Sequence, residues 1–263
     1  MHQVRLFFIA LQFFTRVPVP RWVGFQPDWL QQCARFFPLV GAVIGGVSAL
    51  VLWGALWVFP PPVAVGLAMA VTVWLTGGFH EDGLADTCDG LGGAVTRERS
   101  LAIMKDSRIG SYGALGLILM LGLKAATLLG LADMDPALAL MAIIWSHVAS
   151  RAAPVWLMHA LPYAGDADHA KAKPLATQIS GPGLVIALGS VVLATLVGAW
   201  LMPDDLPLLL GAVIACAALT FYMQSLLERR LGGYTGDTLG ATQQIAEVGA
   251  LLAVLGLAPV FAG

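Results

Sequence analysis

Gly183-Leu184-Val185-Ile186-Ala187-Leu188-Gly189-Ser190-Val191-Val192-Leu193-Ala194-Thr195-Leu196-Val197-Gly198-Ala199-Trp200-Leu201 carries no charged residue. Wound as a helix at ~1.5 Å per residue, these positions reach about 28 Å. That is close to the ~30 Å hydrocarbon core of a bilayer. Comparable runs lie at 39–57, 63–76, 112–132, 137–160, 206–227 and 245–261, so about seven crossings are expected. The run at 63–76 is short and spans only if its flanks from Pro60 to Phe79 are counted. Helices satisfy their backbone groups internally, and none of these runs shows the alternation of a barrel strand. The expected fold is an all-α, polytopic integral membrane bundle forming one catalytic domain over 1–263.

Composition supports this reading. The chain is 58% hydrophobic and 11% charged, whereas a soluble domain carries about 25% charged residues. The net charge of −2 says nothing about a nucleic-acid partner, no Lys/Arg-rich run suggests one, and none is expected. Cys33, Cys88 and Cys216 are too scattered for a disulfide framework or a zinc site; Cys33 and Cys216 read as small fillers, and Cys88 as a filler or a neighbour of the metal.

Residues 1–38 form an N-terminal segment of another kind. Arg5, Gln12 and Arg16 recur on one helical face of an otherwise apolar stretch. The stretch is too short to cross and has no small-x-small cleavage site, so an interfacial or half-inserted amphipathic helix is expected.

Basic residues set the orientation. Arg5, Arg16, Arg21, Arg35, Arg97, Arg99, Lys105, Arg108, Lys171, Lys173, Arg229 and Arg230 fall in the N-terminal segment or in alternate loops. The opposite loops, around Pro60-Pro61-Pro62, Asp133-Met134-Asp135 and Asp204-Asp205, carry none. The positive-inside rule then places the N-terminus and the polar segments at about 15–38, 77–111, 162–182 and 228–244 in the cytoplasm.

Between 77 and 111 lies an acidic motif loop, His80-Glu81-Asp82-Gly83-Leu84-Ala85-Asp86-Thr87-Cys88-Asp89. On a helix, Asp82, Asp86 and Asp89 fall within about 60° of one another. Carboxylates so close repel unless a cation sits between them. Hard oxygen donors without paired thiolates point to Mg²⁺ or Mn²⁺. Gly77-Gly78 and Gly90, Gly92 and Gly93 would permit close backbone approach to phosphate. Lys105 and Arg108, before the third span, suit a pyrophosphate.

A second polar loop, 228–244, contains Gly232-Gly233-Tyr234-Thr235-Gly236-Asp237, with Gln243, Gln244 and Glu247 entering the last span as further substrate-facing candidates. Lys124 and Arg151 are the basic residues inside spans. Arg151 lies about 14 Å from its helix end, where a charge costs on the order of 2–3 kcal/mol without a partner. It is expected to meet substrate phosphate or a motif carboxylate, and for Lys124 such a contact and pairing to another helix are equal alternatives.

These pieces, with Phe13-Phe14-Thr15-Arg16-Val17-Pro18-Val19-Pro20, Phe36-Phe37-Pro38 and Ile103-Met104-Lys105-Asp106-Ser107-Arg108-Ile109-Gly110, resemble the cobalamin (5′-phosphate) synthase family, the adenosylcobinamide-GDP ribazoletransferases. The likeness runs in order along nearly the whole chain. It implies an Mg²⁺-dependent transferase of the bacterial inner membrane, with its active site facing the cytoplasm. Its substrates would be adenosylcobinamide-GDP and α-ribazole or its 5′-phosphate, its products adenosylcobalamin or its phosphate and GMP. It would work as a homo-oligomer or beside other cobalamin-assembly enzymes.

On that resemblance Asp82, Asp86, Asp89 and Glu81 are the expected Mg²⁺ ligands and catalytic acids, with Asp89 the first choice as proton acceptor. Lys105, Arg108, Arg151, Asp237, Thr235 and Arg16 are the expected substrate contacts. The competing reading is a transporter of a divalent cation or a proton-coupled solute, against which the acids sit at a span's end and no inverted repeat is visible.

Overall fold

The computed structural model describes residues 1–165 and 179–261. Lys171, Lys173 and much of the 162–182 segment lie outside the described residues. Twelve α-helices are described: α1 (His2–Phe14), α2 (Pro27–Cys33), α3 (Phe37–Leu56), α4 (Pro61–Thr76), α5 (Phe79–Gly93) and α6 (Arg97–Met104), followed by α7 (Ser111–Met134), α8 (Pro136–Ser150), α9 (Ala152–Ala160), α10 (Gly181–Leu201), α11 (Leu206–Leu231) and α12 (Gly236–Phe261). Several begin with proline in the first turn, where its fixed φ suits a helix and its missing N–H is not needed.

Six helical runs are long and apolar enough to cross a membrane. A seventh is reached only by counting α4 and α5 together, and these are bent by 87°. The bend falls at Gly77 and Gly78, with φ of +70° and +72°. Two successive left-handed residues are accessible to glycine at little cost and strained for other residues. The short crossing expected at 63–76 is therefore α4, which turns sharply into the acidic motif.

Two segments expected as loops are mostly helical. The acidic stretch is α5 and then α6, and of 228–244 only the turn at 232–235 is not helix. Polarity misled here, because part of the polar set, Glu81, Asp89, Gln243 and Gln244 among them, is buried between helices while Asp82, Arg97 and Arg99 stay exposed.

Helices α8 and α9, broken at Arg151, run through the centre of the bundle, while α10 lies at its edge. Gly41 and Gly45 of α3 let that helix lie against the backbone of α8 at His147 and Ile144. The apolar face of α1, including Leu6, Ala10 and Phe14, is buried within the protein's own core. The amphipathic pattern of the N-terminus thus reports a docked helix, with Phe14 stacked on His80 of α5 at 5.2 Å.

Candidate active site

Helix α5 carries the acidic motif, and glycines grip it on several sides. A Cβ on Gly83 would stand 2.7 Å from the carbonyl oxygen of Asp237 and 3.1 Å from its Cα. A Cβ on Gly240 would come within 3.3 Å of the His80 backbone. The two polar elements, far apart in sequence, thus meet backbone to backbone at the start of α12. Gly90 and Gly92 admit the side chains of Met104 and Tyr112. Of the glycines expected to approach phosphate, Gly90 and Gly92 lie against these side chains, and Gly77 and Gly78 form the α4–α5 bend.

The four acids are not equivalent. Asp82 is exposed, Asp86 is half-buried, and Glu81 and Asp89 are buried. Asp89 turns toward α7, where its carboxylate accepts the backbone N–H of Gly110 at 2.7 Å and of Gly113 at 2.8 Å. A carboxylate at the amino end of a helix is favoured by the unpaired N–H groups there. Each Asp89 oxygen thus accepts one backbone N–H, which holds α5 against the start of α7.

Glu81 faces α12 and accepts from Gln244 Nε2 at 3.2 Å. Its other oxygen, Oε2, is buried with no hydrogen-bond partner among the described residues. Buried polar atoms are nearly always paired, so such an atom marks a place for a further polar group.

No three His, Cys, Asp or Glu side chains among the described residues already close into a metal-holding group. Mg²⁺ does not require one, since it commonly takes one or two carboxylates and completes its shell with water and substrate phosphate. Asp82 and Asp86, one turn apart on the accessible part of α5, fit that mode.

The basic candidates divide similarly. Arg108 is exposed, and its guanidinium donates to the Asp106 carboxylate at 2.6 to 3.2 Å. That pairing holds the Arg108 pKa above its ordinary value. Lys105 follows α6 and is exposed. Arg16 lies past the end of α1; its backbone N–H donates to Leu75 O at 2.9 Å, and its guanidinium lies over Gly77 at the α4–α5 bend. Arg97 donates to Leu231 O and Ala164 O, and Arg230 donates to Leu91 O and Ala94 O. These two cations tie α5, α6 and α11 together at their ends.

Thr235 is also occupied structurally. Its hydroxyl accepts from the Thr238 N–H at 3.3 Å, while the Thr238 hydroxyl accepts from the Thr235 N–H at 2.8 Å, a reciprocal cap on α12. Tyr234 beside it is buried, which pushes its phenol above the ordinary pKa. Asp237 sits half-buried in the first turn of α12, over Gly83. Cys88 packs on Gly116, and Cys33 and Cys216 are buried, as expected of fillers.

Arg151 is 1% exposed. It donates to His147 O at 3.1 Å, shares a 2.9 Å hydrogen bond with His147 Nδ1, and lies 3.9 Å from Glu247 Oε2. Lys124 pairs with Glu247 Oε1. Arg151 thus lies beside a carboxylate of α12, and Lys124 takes the pairing to another helix, one of the two alternatives expected for it. Glu247, Gln243 and Gln244 face inward and are nearly inaccessible. The sequence marked them by polarity but not by the direction they face.

The description "Cobalamin-5-phosphate synthase" belongs to the family model that matches residues 6–255. A protein of Leptothrix cholodnii named adenosylcobinamide-GDP ribazoletransferase is 61% identical over 252 residues, covering 96% of this chain and 95% of the relative. Relatives of the same name from Shewanella pealeana and Shewanella piezotolerans are 45% and 47% identical. The first covers 97% of each chain, and the second 96% of this chain and 95% of its own. No solved structure matches the chain.

Proposed function

The chain belongs to the cobalamin-5-phosphate synthase family, a family of transferases, and from that premise we propose that it joins adenosylcobinamide-GDP to α-ribazole or its 5′-phosphate, releasing GMP. The observation that carries the site assignment is the junction of Gly83 with Asp237, which packs the acidic helix against the second polar element. A membrane-embedded enzyme acting on a diphosphate needs carboxylates for a cation and nearby positive charge, and this junction assembles the carboxylate side.

The ribazole 3′-hydroxyl attacks the phosphorus that bears the cobinamide arm, an O–P bond forms, and the bond to GMP breaks. Asp82 and Asp86 would hold Mg²⁺, which when bound neutralises charge on the diphosphate. Glu81, with one buried oxygen unpaired among the described residues, is the carboxylate best suited to receive the hydroxyl proton. Lys105, Arg108 and Arg16, all exposed, attract and orient the diphosphate. Asp89 acts on this site indirectly, by holding α5 against the start of α7.

The basic residues of alternate loops support placing this end of the bundle in the cytoplasm, with the chain in the bacterial inner membrane. The GDP-linked substrate would meet the site from that side. The assignment is tested by incubating purified protein in detergent with both substrates and Mg²⁺ and following GMP release. Asp82→Asn and Asp86→Asn are expected to lose at least 100-fold in turnover, and full activity in both would overturn the assignment.

A further inference from the structure

A directed chain of hydrogen bonds links Glu81 to the ion cluster at the centre of the bundle. Glu247 on α12 is paired with Lys124 of α7, and its Oε2 accepts from Gln243 Nε2 at 2.5 Å. The same Gln243 amide nitrogen donates to Ser150 Oγ at 2.9 Å. Gln243 Oε1 accepts from Gln244 Nε2 at 3.1 Å, and Gln244 Nε2 also donates to Glu81 Oε1 at 3.2 Å. Every member is buried.

The direction of this chain follows from chemistry. An ionised carboxylate can only accept, so Glu247 requires that Gln243 present its NH₂ and not its carbonyl. Gln243 must then offer its oxygen to Gln244, and Gln244 must turn its own NH₂ toward both neighbours. Both N–H groups of Gln244 are committed by that geometry, one of them to a single oxygen of Glu81. Lys124 sets the far end, since an ammonium beside Glu247 keeps that group an acceptor.

We infer that Gln244 is a positioning residue for Glu81, with Gln243 and Glu247 fixing its orientation from within the membrane-spanning bundle. The hydrogen bond holds Oε1 and leaves Oε2, which has no partner among the described residues, as the oxygen available to the reaction. Without it, Glu81 can rotate between the two oxygens, and the proton acceptor is no longer held in one place. This inference rests on the assignment of Glu81 as proton acceptor under Proposed function. Gln244 itself touches no reacting atom.

The test uses the full-length protein in detergent. Gln244→Met keeps length and volume and removes both donors. It is expected to lower kcat about tenfold or more, with KM for both substrates changed less than twofold. In a Glu81→Gln background the same substitution is expected to change the residual kcat by less than twofold, because the group it positions is already altered. A merely structural role would lower the folded fraction and reduce both backgrounds alike. Where Gln244→Met does not yield monodisperse protein, Gln244→Ala leaves room for a water and serves in its place.

The inference is overturned if Gln244→Met retains the parent kcat while Glu81→Gln is impaired, and the assignment of Glu81 then stands alone. It is equally overturned if the loss is the same in both backgrounds. Full activity in Glu81→Gln would overturn the inference and the assignment of Glu81 together.

Discussion

Gly83 and Asp237 touch through their backbones: the space a Cβ on Gly83 would occupy lies 2.7 Å from the Asp237 carbonyl oxygen. Backbone on both sides of that contact cannot give way as a flexible side chain could. The relation fixes how closely α5 crosses the start of α12, and with it the position of every acid in the motif.

Gly83→Ala is therefore expected to destabilise the protein by about 1–3 kcal/mol, the usual cost of overpacking a close contact. Gly46, in α3, has open space where its Cβ would be. Gly46→Ala should be neutral or stabilising by up to about 1 kcal/mol, since alanine favours a helix over glycine. Thermal unfolding of both variants in one detergent checks the pair, and equal effects would remove the argument from the crossing.

Asp89 and Asp82 should separate structure from chemistry. In Asp89→Asn one of the two N–H groups of Gly110 and Gly113 would face an amide NH₂ in place of an oxygen. A buried donor left unpaired costs about 1–3 kcal/mol, so this variant should unfold at lower temperature and lose activity in proportion to the folded fraction. Asp82 is exposed, and Asp82→Asn should change stability by less than about 0.5 kcal/mol while turnover falls. Parallel unfolding and GMP-release assays decide between these outcomes.

Lys124 and Glu247 are both buried and face each other across α7 and α12. Glu247→Gln leaves the Lys124 and Arg151 cations without their carboxylate, a change that costs on the order of 3–5 kcal/mol when a buried pair is broken. Lys124→Met combined with Glu247→Gln keeps the net charge of the cluster and should recover more than half of that loss. Yield of monodisperse protein and its unfolding midpoint measure the recovery, and a double variant no better than the single one would mean that the loss does not come from leaving Lys124 unpaired.

Metal dependence should track the substrate. With Asp82 and Asp86 as ligands and the shell completed by the diphosphate, Mg²⁺ should bind the protein alone weakly and bind at least tenfold tighter in the presence of a non-reactive GDP-linked corrinoid. Chelation should abolish GMP release, added Mg²⁺ should restore it, and the unfolding temperature without substrate should barely move. Titration calorimetry with and without the analogue reads the difference; tight binding to the free protein would point to a preformed site instead.

The helices were legible in the sequence because a bilayer admits few alternatives. Runs such as 183–201 and 112–132 must satisfy their own backbone groups, and only helices of that length do so. The motif residues were legible because carboxylates at spacings of three and four share a helical face wherever they occur. Which of those carboxylates is exposed and which buried was not legible. Asp82, Asp86 and Asp89 read alike along the chain, and only the approach of α7 engages Asp89. Polarity suggested loops at 77–111 and 228–244, where the tertiary structure supplies buried partners that let polar helices form. The pairing of Lys124 with Glu247 and the hydrogen-bond chain from Glu247 to Glu81 depend on which helices are neighbours. Neighbour relations arise from side-chain packing between distant segments, so they belong to the tertiary structure, whereas helix length and the periodicity of acids are local and belong to the sequence.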